Sequence, residues 1–361
     1  MTPREIASFC EIRLSPPAVP TPLAGDASTR CYYRLTRKGH AAGDGTLGVL
    51  MDLGHPFDPA QEPFFRSRDL LAALGLPVPR LHQLFPAEGL AVIEDLGDSL
   101  LQRCVEECPE EQLPGLYERP LDHLMVLHVE GTAALGGLPE HPASRETLDR
   151  DRFSFELGFT LVHYVMGLCR AALAPGDLAL VREGFQTLAA EAAGHGRVLC
   201  HRDYHSRNLM RRGAEQVIID FQDARWGPVT YDIASLLRDS YVHLPEAFVD
   251  ETLERFRTRL EERILASAER LGGGLEHLVG ILADPPAFRH RFDLTCLQRN
   301  LKALGTFGYQ TTVRQSKVYL PYIPRTVAHA RRNLARLPGY SGLLEVLEGC
   351  GALPTRGRCP D

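Results

Sequence analysis

Lysine is almost absent: Lys38, Lys302 and Lys317 are the only three in 361 residues, so arginine carries nearly all the positive charge. Anion recognition therefore falls mainly to planar guanidinium forks instead of compact ammonium groups. Nowhere does the sequence sustain the run of about 18 apolar residues that a membrane-spanning helix requires. The opening MTPREIASFCEIRL lacks the apolar centre of a secretory leader. These absences predict a soluble, cytoplasmic protein with no membrane partner. The nine cysteines include no C-x-x-C pair, so neither a zinc ribbon nor a disulfide framework is indicated. Cys104 and Cys108 stand about one helical turn apart and read as small packing residues. A net charge of −6 supplies no electrostatic footprint for nucleic acid.

Chemistry is concentrated in VLCHRDYHSRNLMRRGAEQVIID, residues 198–220. His201, Asp203 and Asn208 make H-x-D-x-x-x-x-N, and the apolar Val217-Ile218-Ile219 then delivers Asp220 ahead of Phe221. This is the spacing of a kinase catalytic loop followed by its metal-binding aspartate. A phosphoryl acceptor needs a carboxylate near its hydroxyl, and a triphosphate needs a divalent cation held by hard oxygen ligands. Asp203 is thus the expected acceptor-positioning residue and base, with Asn208 and Asp220 as magnesium ligands and ATP as co-substrate. Two short strands joined by a turn at Gly213 are expected between Asn208 and Asp220. His201 and His205 read as braces of the loop. Asp223 could reach metal or substrate, or cap a turn. Asp232 could cap its helix or tie that helix to the catalytic loop.

The pattern predicts an α+β chain: a small β-rich N-terminal lobe over 1–96, then a larger, mostly helical lobe over 97–361. Residues 30–35 and 48–52 read as strands, 60–74 as a helix, and 80–85 with 90–93 as a second strand pair. Helical periodicity covers 118–129, 151–173, 178–193, 232–241, 245–271 and 288–308, and the final GALPTRGRCPD reads as a loose tail. The nucleotide contacts are less explicit. Gly25, Asp26, Ala27 and Ser28, ahead of the first strand, could cradle phosphate with backbone amides, though they form no GxGxxG. Met51 stands where a kinase strand would carry lysine. Arg30 or Arg34, on one face of the preceding strand, could take that role. Glu62 and Arg68 could support it from the following helix or lie on a solvated face. The backbone from Glu94 to Leu96 could bond adenine at a hinge.

HRDYHSRNLM and VIIDFQDARWGPVTYDIASLLRDSY resemble the catalytic and metal segments of aminoglycoside phosphotransferase-like small-molecule kinases. The resemblance is narrower to bacterial anomeric amino-sugar kinases. It extends through GDASTRCYYRL, GLPVPRLHQL, AVIEDLGD and FDLTCLQRNLKALGTFG, from about residue 23 to 337. It implies a two-lobed protein-kinase-like fold, ATP with magnesium, and phosphorylation of an N-acetylated amino sugar at C1. It assigns the base to Asp203, metal to Asn208 and Asp220, and the phosphate loop to Gly25, Asp26, Ala27 and Ser28. Residues 148–169 only partly match the acidic and aromatic segment of that group.

A neutral sugar is recognised by hydrogen bonds more than by charge. Candidate suppliers are Glu156, Gln222, Asp223, Arg225, Gln298, Arg299 and Lys302, the last also readable as part of a solvated helix face. An aminoglycoside acceptor would instead call for a densely acidic cleft. A nucleotide-binding scaffold without turnover is the third alternative, suggested by the missing strand lysine. Oligomeric state is left open.

Overall fold

The computed structural model describes residues 1–23, 30–40, 45–271 and 274–354. Contacts divide the chain into one unit of residues 1–99 with 210–222, and a second of 100–209 with 223–361.

The first unit begins with a helix, Pro3–Ile12, that periodicity did not single out. Its signal is local. Thr2 and Glu5 form a reciprocal capping box and Pro3 sits at the first helical position. The helix lays Ile6, Phe9 and Cys10 against Tyr33, Leu35, Leu50, Leu90 and Val92 of an antiparallel sheet. That sheet has strands β1 (Ala18–Pro22), β2 (Cys31–Arg37), β3 (Thr46–Asp52), β4 (Leu81–Phe85) and β5 (Leu90–Ile93), in the order β1-β2-β3-β5-β4. β1 went unread because Pro20 and Pro22 interrupt it; an edge strand tolerates them, since it needs donors on one side only. Gly48 in β3 has φ +138, and a Cβ there would lie 2.6 Å from the Ile93 carbonyl oxygen, so only glycine lets β5 approach. Helix Pro63–Ala73 follows β3.

A hairpin of β7 (Leu209–Arg212) and β8 (Glu215–Ile218) supplies most of the second segment of this unit. Arg211 N donates to Ser99 O at 2.7 Å, Ile218 N donates to Pro77 O at 2.8 Å, and Phe221 packs on Phe64 at 5.1 Å between centroids.

The second unit is helical, with a two-stranded ladder of β6 (Arg197–Cys200) and β9 (Arg225–Pro228) that pairs Cys200 with Arg225. Its central element is the helix Pro285–Thr312, which buries Phe292, Leu294, Leu297, Leu301 and Leu304. This helix packs on Arg150–Thr160 and the π-helical continuation Leu161–Leu168. The helix expected to run to residue 173 therefore stops at Leu168, and Arg170 turns the chain at φ +51. Nor is GALPTRGRCPD loose at its start: Ala352 and Leu353 are buried, and Ala352 O accepts from the Tyr164 hydroxyl at 2.9 Å. Residues 355–361 lie outside the described residues.

Gly305 and Gly308 let the two long helices touch. A Cβ on Gly305 would lie 2.6 Å from Thr160 Oγ1, and one on Gly308 would meet the His163 carbonyl. Gly308→Val is expected to destabilise the protein by about 1–3 kcal/mol or more through overpacking. Gly158→Ala on the partner helix, where nothing beyond the helix's own backbone lies within 4 Å among the described residues, should be neutral or stabilising in the same thermal melts.

Candidate active site

The β6–β9 ladder carries the 201–208 loop out beside Asp223 and Arg225. One buried carboxylate shapes that loop. Asp232, in the first turn of helix Tyr231–Leu237, accepts from His201 N at 2.7 Å and Arg202 N at 3.0 Å. Thr230, not Asp232, occupies the helix cap position. His201 Nδ1 accepts from Asp203 N at 3.3 Å, Asn208 Nδ2 donates to Asp203 O at 2.8 Å, and Ser206 N donates to Asp239 at 2.9 Å. Arg202 has φ +84, a left-handed conformation that a non-glycine residue keeps only when its surroundings enforce it. Here Asp232 holds its amide, and Arg299 Nη1 donates to its carbonyl at 2.6 Å. His205 rests edge-on against Tyr241, 5.1 Å between centroids.

Asp203 lies among cations. Lys302 Nζ donates to Oδ1 at 3.1 Å, Arg299 Nη2 stands 3.6 Å from the same oxygen, and Arg202 Nε is 3.9 Å from Oδ2. Burial pushes the Asp203 carboxyl up, but Lys302, Arg202, Arg299 and His205 together hold it well below the usual carboxylate range. Asp203 is therefore an ionised, weakly basic carboxylate. Lys302 is not part of a solvated face: its side chain is 17% exposed.

Around Asp203 the same unit gathers several of the proposed acceptor contacts. Gln298 Nε2 donates to Glu156 Oε2 at 2.9 Å, and Glu156 Oε1 lies 3.4 Å from Arg152 and 3.9 Å from Arg202. Arg202 Nη1 donates to Asp223 at 2.9 Å, while Arg225 reaches the Asp223 carbonyl at 2.9 Å and Glu146 at 3.1 Å. Arg299 lies over the Tyr231 ring at 4.4 Å. Glu156 Oε1, Gln298 Oε1, Arg202 Nε and the Tyr231 hydroxyl are buried without a hydrogen-bond partner among the described residues. Unmet donors and acceptors in such a place cost stability and suit a ligand that brings its own polar groups.

Asp220 belongs to the first unit and adopts φ +62; its Oδ1 accepts from Gln222 Nε2 at 2.7 Å. Gln222 therefore sits on the metal carboxylate candidate. The Tyr32 hydroxyl is pushed up by burial, with Arg30 and Asp220 acting on it in opposite directions. Arg30 pairs with Glu62 at 3.4 Å and lies over the Phe64 ring at 5.7 Å. Arg34 is committed elsewhere, bonded twice by Asp95 at 2.7 and 3.1 Å and twice by Asp98 at 2.9 and 3.1 Å. Arg68 donates to the Pro79 carbonyl at 3.2 Å. Glu94 N donates to Arg80 O at 2.8 Å, using one of the backbone groups expected for adenine. Burial raises the Glu94 carboxyl, but hydrogen bonds from Arg80 and Arg212 outweigh that and bring it to about 2. Leu96 follows β5 in an irregular segment. Gly25, Asp26, Ala27 and Ser28 lie outside the described residues.

The donor sets fit a hard cation. Asp220 is a carboxylate and Asn208 an amide, both carrying oxygen donors of the kind magnesium takes. A different cluster, His128, Cys200 and Asp232, is wholly buried with ligand atoms within 4.8 Å of one another. It reads as a brace, because Asp232 is engaged by two amides and burial pushes the Cys200 thiol up. Sequence reasoning missed Arg202, whose motif position is written as variable, and Tyr231, which precedes the helix expected from residue 232.

Residues 20–266 match the family model described as phosphotransferase enzyme family. The chain is 31% identical over 335 residues to an N-acetylmuramate/N-acetylglucosamine kinase of Pseudomonas aeruginosa, covering 92% of this chain and 88% of the relative. A protein of the same name from Neisseria meningitidis serogroup B is 27% identical over 332 residues, covering 90% and 89%. Among solved structures, choline kinase from Cryptosporidium parvum superposes with a TM-score of 0.59 at 11% identity, over 95% of this chain and 98% of that one. An aminoglycoside phosphotransferase in ternary complex with streptomycin and ATP gives 0.54 at 12% identity, over 91% and 95%. At such identities these superpositions establish the fold alone, the kinase-like α+β arrangement of a β-rich first part and a helical remainder. No helix among the described residues is long and apolar enough to cross a membrane.

Proposed function

Because this chain belongs to the phosphotransferase enzyme family, we propose that it transfers the γ-phosphoryl group of ATP to the anomeric C1 hydroxyl of N-acetylglucosamine or N-acetylmuramate. The observation that carries the acceptor class is the cluster beside Asp203. Glu156, Gln298, Arg202 and Tyr231 keep buried polar atoms without hydrogen-bond partners among the described residues, a mixture of donors and acceptors suited to hydroxyl and acetamido groups. Arg152, Arg202, Arg225, Arg299 and Lys302 offset the acidic groups there. A polycationic aminoglycoside would meet repulsion from them. The names of the Pseudomonas and Neisseria relatives support the same choice.

In this reading Asp203 accepts a hydrogen bond from the C1 hydroxyl and aligns its lone pair for in-line attack. The surrounding cations make it too weak a base to remove that proton in advance. It takes the proton late, as the oxygen–phosphorus bond forms. Asn208 and Asp220 would hold magnesium, which offsets charge on the β- and γ-phosphates when bound. Gly25, Asp26, Ala27 and Ser28 serve as the phosphate loop, and the backbone near Leu96 serves adenine. Arg30, paired with Glu62 at the N-cap of helix Pro63–Ala73, stands in for the strand lysine, an arrangement parallel to the kinase lysine–glutamate pair. Arg34, already bonded to two aspartates, does not. Arg30→Ala is therefore expected to raise the ATP KM and lower kcat; an unchanged pair of constants removes Arg30 from the nucleotide site.

A coupled assay for ADP tests the function as a whole. N-acetylglucosamine or N-acetylmuramate should stimulate ADP release, and kanamycin should not. Stimulation by kanamycin alone would replace the amino-sugar reading with the antibiotic one.

A further inference from the structure

We propose that Lys302 is a further catalytic residue: its ammonium, presented against Asp203 by the helix Pro285–Thr312, binds the phosphoryl group as it passes to the acceptor oxygen. The inference rests on Asp203 being the acceptor-side carboxylate. Lys302 Nζ lies 3.1 Å from Asp203 Oδ1, so it borders the place where the attacking hydroxyl must sit. The three cations around Asp203 are not equivalent. Arg299 is fixed by the Arg202 carbonyl and the Tyr231 ring, and Arg202 is drawn to Asp223 and Glu156. Lys302 has Asp203 as its one side-chain hydrogen-bond partner among the described residues, and an ammonium carries three donors. Two protons therefore stand ready for oxygens arriving beside that carboxylate.

The strand position that carries lysine in kinases holds the fully buried Met51, and Arg30, proposed in its place, is an arginine paired with Glu62. In a loose phosphoryl-transfer transition state, negative charge spreads over the equatorial oxygens. A compact, flexible ammonium can follow them, whereas an arginine locked in a fork cannot. The acceptor oxygen–phosphorus bond forms, the bond to the β-phosphate oxygen breaks, and the acceptor proton passes to Asp203. Lys302 keeps its protons and its charge throughout.

Two measurements on Lys302→Met separate contact with the phosphoryl group from mere support of Asp203. With the best acceptor, kcat should fall about 10²–10³-fold, the usual cost of removing one charge-stabilising donor, with ATP KM little changed. Affinity for magnesium ADP should be kept, while the extra affinity gained with aluminium fluoride, a planar mimic of the phosphoryl in flight, should fall at least about tenfold. A kcat within threefold of wild type, or equal losses for both nucleotide complexes, overturns the proposal. Should Lys302→Met fail to fold, Lys302→Arg serves: at least a tenfold loss of kcat supports the role, and wild-type turnover overturns it. The aluminium fluoride titration needs no sugar, so it decides Lys302 even if no amino sugar proves to be an acceptor.

Discussion

Asp203→Asn lowers kcat by about 10²–10⁴-fold, the range for loss of a positioned general base. Asparagine keeps the size of the side chain but offers an amide where a carboxylate faced Lys302, Arg299 and Arg202. It can no longer take the acceptor's proton. The main-chain bonds of residue 203, to His201 Nδ1 and Asn208 Nδ2, do not involve the carboxylate, so the loop should persist. Steady-state kinetics beside a thermal melt check both halves: kcat collapses while Tm shifts by a few degrees at most. In the wild type the lowered Asp203 pKa means the carboxylate stays ionised as pH falls. The rise in rate attributable to Asp203 should therefore lie below the ordinary carboxylate range, leaving no carboxylate limb between about pH 5 and 7.

Asp232→Ala is expected to remove activity by another route, together with stability. Asp232 is fully buried and accepts the amides of His201 and Arg202, with His128 Nε2 3.5 Å from the same carboxylate. Alanine leaves two amide donors in the interior without acceptors, a cost of about 1–3 kcal/mol each. It also frees the Arg202 backbone from the enforcement that keeps φ at +84. A melt should show a loss of about 2–6 kcal/mol, and kcat should fall even where the protein remains folded. Asp232→Asn retains one oxygen acceptor and should fall between. A folded Asp232→Ala with normal turnover would mean that the loop holds its shape without this anchor.

Asp203, Asn208 and Asp220 could be named as candidates from the sequence because their spacing falls within a short stretch. The hairpin between Asn208 and Asp220 was readable too, since Gly213 and the apolar strand after it mark both arms. What sequence could not disclose depends on long-range folding. Lys302 reaches Asp203 across 99 residues, and Gln298 reaches Glu156 across 142. Helical spacing shows that Gln298 and Lys302 share a face but not what that face meets. Arg202 was hidden in a motif position, and its side chain found meaning only when folding brought Asp223 and Glu156 near. Likewise, Arg30 and Arg34 are equivalent on an extended strand; Glu62 and the Asp95–Asp98 pair are what distinguish them. The edge strand β1 escaped because its prolines argue against a strand until one knows that only one side is paired.

Transfer to an anomeric hydroxyl of an amino sugar is tested most directly by offering the enzyme N-acetylglucosamine beside its methyl glycoside, with phosphorus–proton correlation NMR of the product. The methyl glycoside has every hydroxyl of the sugar except that at C1. ADP release with N-acetylglucosamine alone, and a product whose phosphorus couples to the anomeric proton, is the predicted result. Equal turnover of the methyl glycoside, or phosphorus coupled to a proton at any other position, would contradict it.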